Sequence, residues 1–311
     1  MKKLTIFLSA CILLFSCQKD ETTPANGQEN VPQGKSLVTF SVADFIRKLE
    51  NFPAARKADA SVNARDTTLH NKIGHIYYRI YDNATQALVR SLDQSYAADS
   101  ATFGIYSDTL EYGSYTLVAT ASPDSLMLNN SSTLNNLTLL GKYSGSNLAP
   151  WPEIFAKKYS FQVGTATDVT DLELDRIIGK LEVRLSDATY PLYRIDITAT
   201  SESDQFNLGT WLPGAATAPL TIHRVNDTTF SNYFMNTATP VSVSITVTNV
   251  YTGIVVNKVI DNVRCYTNRR TIISGKIVSF DPNLPFGIPI LGIKVDDNWE
   301  TGGPVDRKSV V

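Results

Sequence analysis

The feature that most constrains this chain is the stretch Val241–Thr248, in which Val241, Val243, Ile245 and Val247 alternate with Ser242, Ser244, Thr246 and Thr248. In a β-strand successive side chains leave on opposite faces, so the segment has one aliphatic face to bury and one hydroxyl face for water. A helix would scatter the same residues around its circumference. Tyr251, Thr252 and Gly253 then read as a turn into Ile254–Ile260, which predicts an antiparallel hairpin. The same period of two sets Leu181, Val183 and Leu185 against Glu182, Arg184 and Ser186, and Tyr193, Ile195 and Ile197 against Arg194, Asp196 and Thr198. Nearer the start, Ile76, Tyr78 and Ile80 alternate with Tyr77, Arg79 and Tyr81. Further strands are predicted at 37–42, 88–92, 101–107, 114–121, 159–163 and 271–280. Short half-buried strands are best covered by a second sheet, so the fold class is all-β, built as two β-sandwich domains.

The beginning of the chain predicts export. Lys2 and Lys3 precede the apolar run Leu4–Phe15, the pattern of a secretory signal peptide over residues 1–16. That run is about 12 residues long, against the roughly 20 that a membrane-spanning helix needs. Leu14-Phe15-Ser16-Cys17 resembles a bacterial lipobox, which makes Cys17 the lipid attachment site; ordinary secretion is the alternative. Gln18, Lys19, Asp20 and Glu21 are similar to the Bacteroidetes signal that sends lipoproteins to the outer face of the outer membrane. The expected location is therefore the cell surface, by a lipid anchor. Residues 17–35 are almost free of apolar side chains and are expected to form a flexible stalk. A first sandwich is expected over 36–175 and a second over 176–311. The first includes a short helix at 44–52, stopped by Pro53, and a long crossover at 122–152 with a short helical turn. The leucines of that crossover, from Leu126 to Leu140, either seal the first core or line a partner groove.

Composition narrows the chemistry. The chain carries a net charge of −2, and loss of Lys2 and Lys3 with the signal leaves −4, so no clustered positive charge points to nucleic acid. Cys11 leaves with the signal and Cys17 takes lipid, so Cys265 has no partner for an intrachain disulfide and reads as a small buried apolar residue. His70, His75 and His223 form no HxxxH, HxH or HExxH set, and no nucleophile elbow, P-loop or dinucleotide glycine pattern occurs. The expectation is a noncatalytic protein with no cofactor and no metal. Asp168, Asp171, Glu173 and Asp175 read as a solvated interdomain turn, with a weak cation site as the alternative. Trp151 and Trp211 lie near Pro or Gly in predicted loops, where an indole face could meet a sugar ring; packing is the competing role.

Three motifs carry a family resemblance. Glu111-Tyr112-Gly113-Ser114-Tyr115-Thr116-Leu117, Arg176-Ile177-Ile178-Gly179-Lys180-Leu181-Glu182-Val183 and Asn268-Arg269-Arg270-Thr271-Ile272-Ile273-Ser274-Gly275-Lys276-Ile277, together with the lipobox, resemble the Bacteroidetes fimbrial subunit and anchor superfamily. The resemblance implies two transthyretin-like sandwiches, with other fimbrial subunits and the outer membrane as partners. It implies association by β-strand complementation, in which a neighbour's strand fills an open sheet. It also implies, for polymerising members, trypsin-like cleavage after an arginine that frees the first strand; Arg56 or Arg65 could serve, and an uncut connector is the alternative. A donor strand could come from residues 288–295, although Pro289 and Gly292 weaken it and favour an anchor or tip role over a repeated stalk subunit. A glycan-binding surface lipoprotein, contacting host or environmental glycans through Trp151 and Trp211, is the second expectation.

Overall fold

The computed structural model describes residues 34–42, 69–129, 131–144, 147–165, 168–188, 191–224, 229–278 and 290–296. Its first half begins with β1 (Lys35–Ser41), β2 (His75–Asp82), β3 (Leu88–Ser95), β4 (Ile105–Glu111) and β5 (Gly113–Ser122). Four short strands follow: β6 (Met127–Asn129), β7 (Thr138–Leu140), β8 (Tyr143–Ser144) and β9 (Asn147–Leu148). Then come β10 (Phe155–Val163), β11 (Asp168–Asp171) and β12 (Asp175–Arg176). A three-stranded sheet in the order β11-β1-β4 faces a five-stranded sheet in the order β12-β10-β5-β2-β3. Val38, Phe40, Tyr106 and Leu110 from one sheet and Ile76, Tyr78, Ile80, Leu117, Ala119 and Phe155 from the other close on a common core.

The second sandwich is built from β13 (Gly179–Leu185), β14 (Tyr193–Ser203), β15 (Gln205–Asn207), β16 (Leu212–Pro213), β17 (Ala216–Arg224), β18 (Thr229–Phe234), β19 (Val241–Asn249), β20 (Val255–Val263), β21 (Arg270–Lys276) and β22 (Ile290–Asp296). Sheets in the orders β18-β13-β21-β22 and β17-β14-β19-β20 hold the core between them. The β19–β20 hairpin is the one the valine and serine alternation predicts, with Val241, Val243, Ile245 and Val247 all buried.

Several sequence expectations are corrected here. The strand expected at 101–107 starts later: residues 101–104 are a turn closed by Gly104 at φ +89, and β4 runs on to Glu111. A short helix α1 (Tyr96–Asp99), capped by the Ser95 side chain, leads into that turn. The acidic stretch 168–175 is not a solvated turn, because β11 pairs in parallel with β1 and the alternating Leu172 and Leu174 are buried. The helix expected at 44–52 lies outside the described residues.

The crossover contains the expected helical turn at Leu134–Asn136, but its leucines do more than seal the first core. Leu134, Leu137, Leu139, Leu148 and Trp151 form a third apolar cluster with Tyr81, Val118, Ile154 and Ala156 of the first half and with Ile177, Ile178, Phe206, Leu208 and Met235 of the second. A small sheet in the order β16-β15-β7-β6 bridges the halves through pairing of Phe206 with Leu139. This junction core makes the two sandwiches one packed unit.

Candidate functional site

The element best placed to do something beyond packing is β1. It lies in the middle of its sheet, antiparallel to β4 from Lys35↔Glu111 to Ser41↔Ile105 and parallel to β11 from Val38↔Asp168 to Ser41↔Asp171. Its side chains alternate, with Ser36, Val38, Phe40 and Val42 inward and buried. Phe40 meets three rings, Phe161 at 4.9 Å, Tyr106 at 6.2 Å and Tyr159 at 6.3 Å. Burial pushes the Tyr106 phenol up, and the neighbouring Asp108 carboxylate, which accepts its O–H at 3.0 Å, pushes it the same way. The ring is therefore a neutral wall of the slot at any physiological pH. On the outer face Thr39 and Ser107 share a hydroxyl contact of 3.1 Å. Leu172 N donates to Ser41 O at 2.6 Å and Tyr112 N to Gly34 O at 2.9 Å, tying both ends.

Val38, Phe40 and Val42 together contribute roughly 5–9 kcal/mol of burial, at about 1.5–3 kcal/mol each. Removing β1 would expose that area and leave one free backbone edge on β4 and another on β11. A strand taking the place of β1 would have to present apolar side chains at the same alternate positions.

The second and third sequence motifs meet each other. β13 and β21 are parallel neighbours, from Lys180↔Arg270 to Leu185↔Gly275. Arg176 donates to Glu153 at 2.7 Å through Nε and to Asn268 Oδ1 at 2.7 Å, with its guanidinium 5.1 Å from the Phe155 ring. Asn268 sits at φ +54, a left-handed position that asparagine tolerates, and its backbone N–H donates to Ile178 O at 2.9 Å. A Cβ on Gly179 would lie 2.8 Å from Tyr266 O, so the close approach of β13 to this turn requires glycine. Glu182 takes Arg184 at 2.5 Å and Arg270 at 3.5 Å. These motifs encode a structural joint. Arg176→Ala leaves Glu153 without this cation and Asn268 without this donor, and an expected loss of roughly 3 kcal/mol follows from breaking a buried pair; a urea unfolding curve would measure it.

No family model and no curated protein sequence matches the chain. Solved structures do. A candidate cell adhesion protein from Bacteroides eggerthii aligns with TM-score 0.51 and 10% identity over 86% of this chain and 97% of that one. A candidate adhesin from Bacteroides ovatus gives 0.50 and 13%, covering 86% and 94%. A candidate polysaccharide-binding protein from Bacteroides thetaiotaomicron gives 0.50 and 13%, covering 78% and 91%. The chain has the fold of these Bacteroides proteins.

Within this shared fold the residues singled out in the sequence are widely separated. Trp151 is 5% exposed in the junction core and donates its indole N–H to Ser203 O at 3.1 Å, so packing is what it does here. Trp211, at φ +63, is half-buried against Phe206 with ring centroids 6.0 Å apart. Cys265 is buried in the second core, where desolvation pushes its thiol up. Cys17, Arg56 and Arg65 lie outside the described residues. Among the described residues no group of three or more His, Cys, Asp or Glu side chains is placed to hold a metal ion. Residues 290–295 of the segment considered as a donor strand lie in β22, which pairs antiparallel with β21 from Lys276↔Ile290 to Arg270↔Asp296. They complete the edge of the chain's own second sandwich. Sequence reasoning did not single out Tyr106, Tyr159 and Phe161 as a group, because their convergence on Phe40 depends on which sheets face each other.

Proposed function

We propose that this chain is a noncatalytic surface lipoprotein of a fimbrial system, an anchor, accessory or structural subunit, in which β1 occupies the slot used for strand complementation. The observation that carries this reading is the central position of β1 between β4 and β11. The sandwiches over 36–175 and 176–311 are assigned as transthyretin-like domains on the same reading. Topology supplies a further consequence. Cys17 precedes β1, whereas Arg56 and Arg65 follow it. An uncut chain keeps its lipid tether covalently and keeps its slot filled. A chain cut after Arg56 or Arg65 retains the tether only through the noncovalent seat of β1, and exchange of β1 for a neighbour's strand releases the body into a fibre. Anchor and polymerising subunit are thus alternative fates of one strand. The pairing of 290–296 within its own sheet supports the anchor fate, since that segment is already engaged.

N-terminal sequencing of protein isolated from the cell surface tests the choice. Lipid-modified Cys17 as the only terminus is the result expected for an anchor. A terminus after Arg56 or Arg65, with the body in shed fibres, makes it a polymerising subunit. A membrane-free protein with neither terminus contradicts both fates. The likeness to a candidate polysaccharide-binding protein supports a second reading, glycan binding through Trp211. Affinity electrophoresis in host glycans should then show retardation that Trp211→Ala abolishes.

A further inference from the structure

Glu202 is a carboxylate buried completely at the junction. A register shift between Ala199 and Glu202 breaks β14 against β17, and Ser201 adopts φ +66. This bulge turns the Glu202 side chain inward, onto the segment that follows β18. Its Oε1 accepts the backbone N–H groups of Met235 at 2.8 Å, Asn236 at 2.9 Å and Ser203 at 3.1 Å. Asn236 Nδ2 donates to Ser201 O at 2.6 Å, and Asn236 Oδ1 accepts from Thr239 N at 3.1 Å. The bulge therefore holds the 235–239 loop at several points, and the first residue of that loop, Met235, is fully buried in the junction core.

The other oxygen, Oε2, is buried and has no hydrogen-bond partner among the described residues. Among the described residues no ion pair reaches Glu202; the titratable group facing it is the buried Cys265 thiol, and its bonded neighbours are uncharged. Asp204, two residues on, points to an exposed contact with the Tyr143 hydroxyl at 2.6 Å. An ionised Glu202 thus leaves half its charge in an apolar interior with nothing to balance it. We propose that Glu202 is a pH-sensitive latch on the junction: protonated it fastens the 235–239 loop to β14, and ionised it loosens the loop and withdraws Met235 from the seam between the sandwiches.

Desolvation raises this carboxyl from 4.5 to about 7, against the smaller opposing pull of the three backbone N–H groups. A group raised in the folded state stabilises fully below its unfolded value, so the latch is firm below pH 4.5 and its contribution is lost as pH rises through about 7. The test is hydrogen exchange on the whole mature protein. After correction for intrinsic rates, protection of the Met235 and Asn236 amides should fall about tenfold between pH 6 and pH 8.5, as expected for an opening that restores the ordinary carboxylate value. Glu202→Gln keeps an acceptor but cannot ionise, so its protection should be flat across the same range. Flat protection in the wild type, or an equal fall in Glu202→Gln, overturns the proposal. If that variant does not fold, the 13C titration of the wild-type Glu202 carboxyl decides: a midpoint near neutrality supports the latch and one below pH 5 overturns it.

Discussion

Phe40→Ala is expected to destabilise the first sandwich by about 3–5 kcal/mol, the range for deleting a fully buried phenylalanine. Phe40 is 2% exposed and stands among Tyr106, Tyr159 and Phe161, so its removal leaves a cavity lined by rings that cannot all collapse inward. Those rings are held by different strands, Tyr106 on β4 and both others on β10, which limits relaxation. The same change weakens the seat of β1, so trypsin should separate residues 34–42 from the body much sooner than in the wild type. Thr39→Ala, on the outer face of the same strand, should move stability by no more than about 0.5 kcal/mol. Urea unfolding followed by a probe in the first sandwich separates the two. Equal effects of the two substitutions would mean that β1 is not seated through its inward face.

Trp151→Ala should cost a similar amount, about 3–5 kcal/mol, but at the junction. The indole is lost from the cluster that joins Leu137 and Leu139 to Phe206 and Leu208, and Ser203 O loses its donor. Because that cluster is what both halves share, the variant should unfold in two separable transitions where the wild type unfolds in one. Differential scanning calorimetry would show this as a split peak. A single transition shifted downward would place the cooperativity elsewhere than in this seam.

The sandwich strands were legible in the sequence wherever one face is aliphatic and the other polar. β14 and β19 announce themselves in this way, as does β13 apart from its buried Glu182, whereas β20 was read from the turn before it and leaves Val255 and Val259 exposed. β2 was read from the same alternation, Ile76, Tyr78 and Ile80 against Tyr77, Arg79 and Tyr81, yet both its faces prove to be buried. The outer face, with Tyr77, Arg79 and Tyr81, is covered by the crossover: the Tyr77 hydroxyl donates to Leu126 O at 3.5 Å, and Tyr81 joins the junction core. β6, β7, β15 and β16 are two or three residues long, too short for any periodicity, and their pairing joins residues far apart in the chain. The motifs around Gly179 and Asn268 were visible as strings, yet their meaning was not. Only the parallel pairing of β13 with β21 brings Arg176 to Asn268 and explains Gly179. β11 was missed because four acidic residues concealed Leu172 and Leu174, whose burial shows that the stretch packs at the sheet. The central position of β1 could not be read from its own seven residues, since it is fixed by β4 and β11 from either side.

The claim that the β1 slot is the assembly site is tested most directly with a photocrosslinking residue at Ser107. This position on β4 is exposed, opposite Thr39 of β1, and reports whatever strand lies beside it. Fimbriae should be purified from cells carrying the substituted protein, irradiated, and the crosslinked peptides identified by mass spectrometry. In uncut, membrane-held copies the crosslink should return the chain's own residues 35–41. In copies built into fibres it should return a strand of a neighbouring subunit, with residues 35–41 no longer attached. Fibre-borne copies that crosslink only to their own residues 35–41 would contradict the claim.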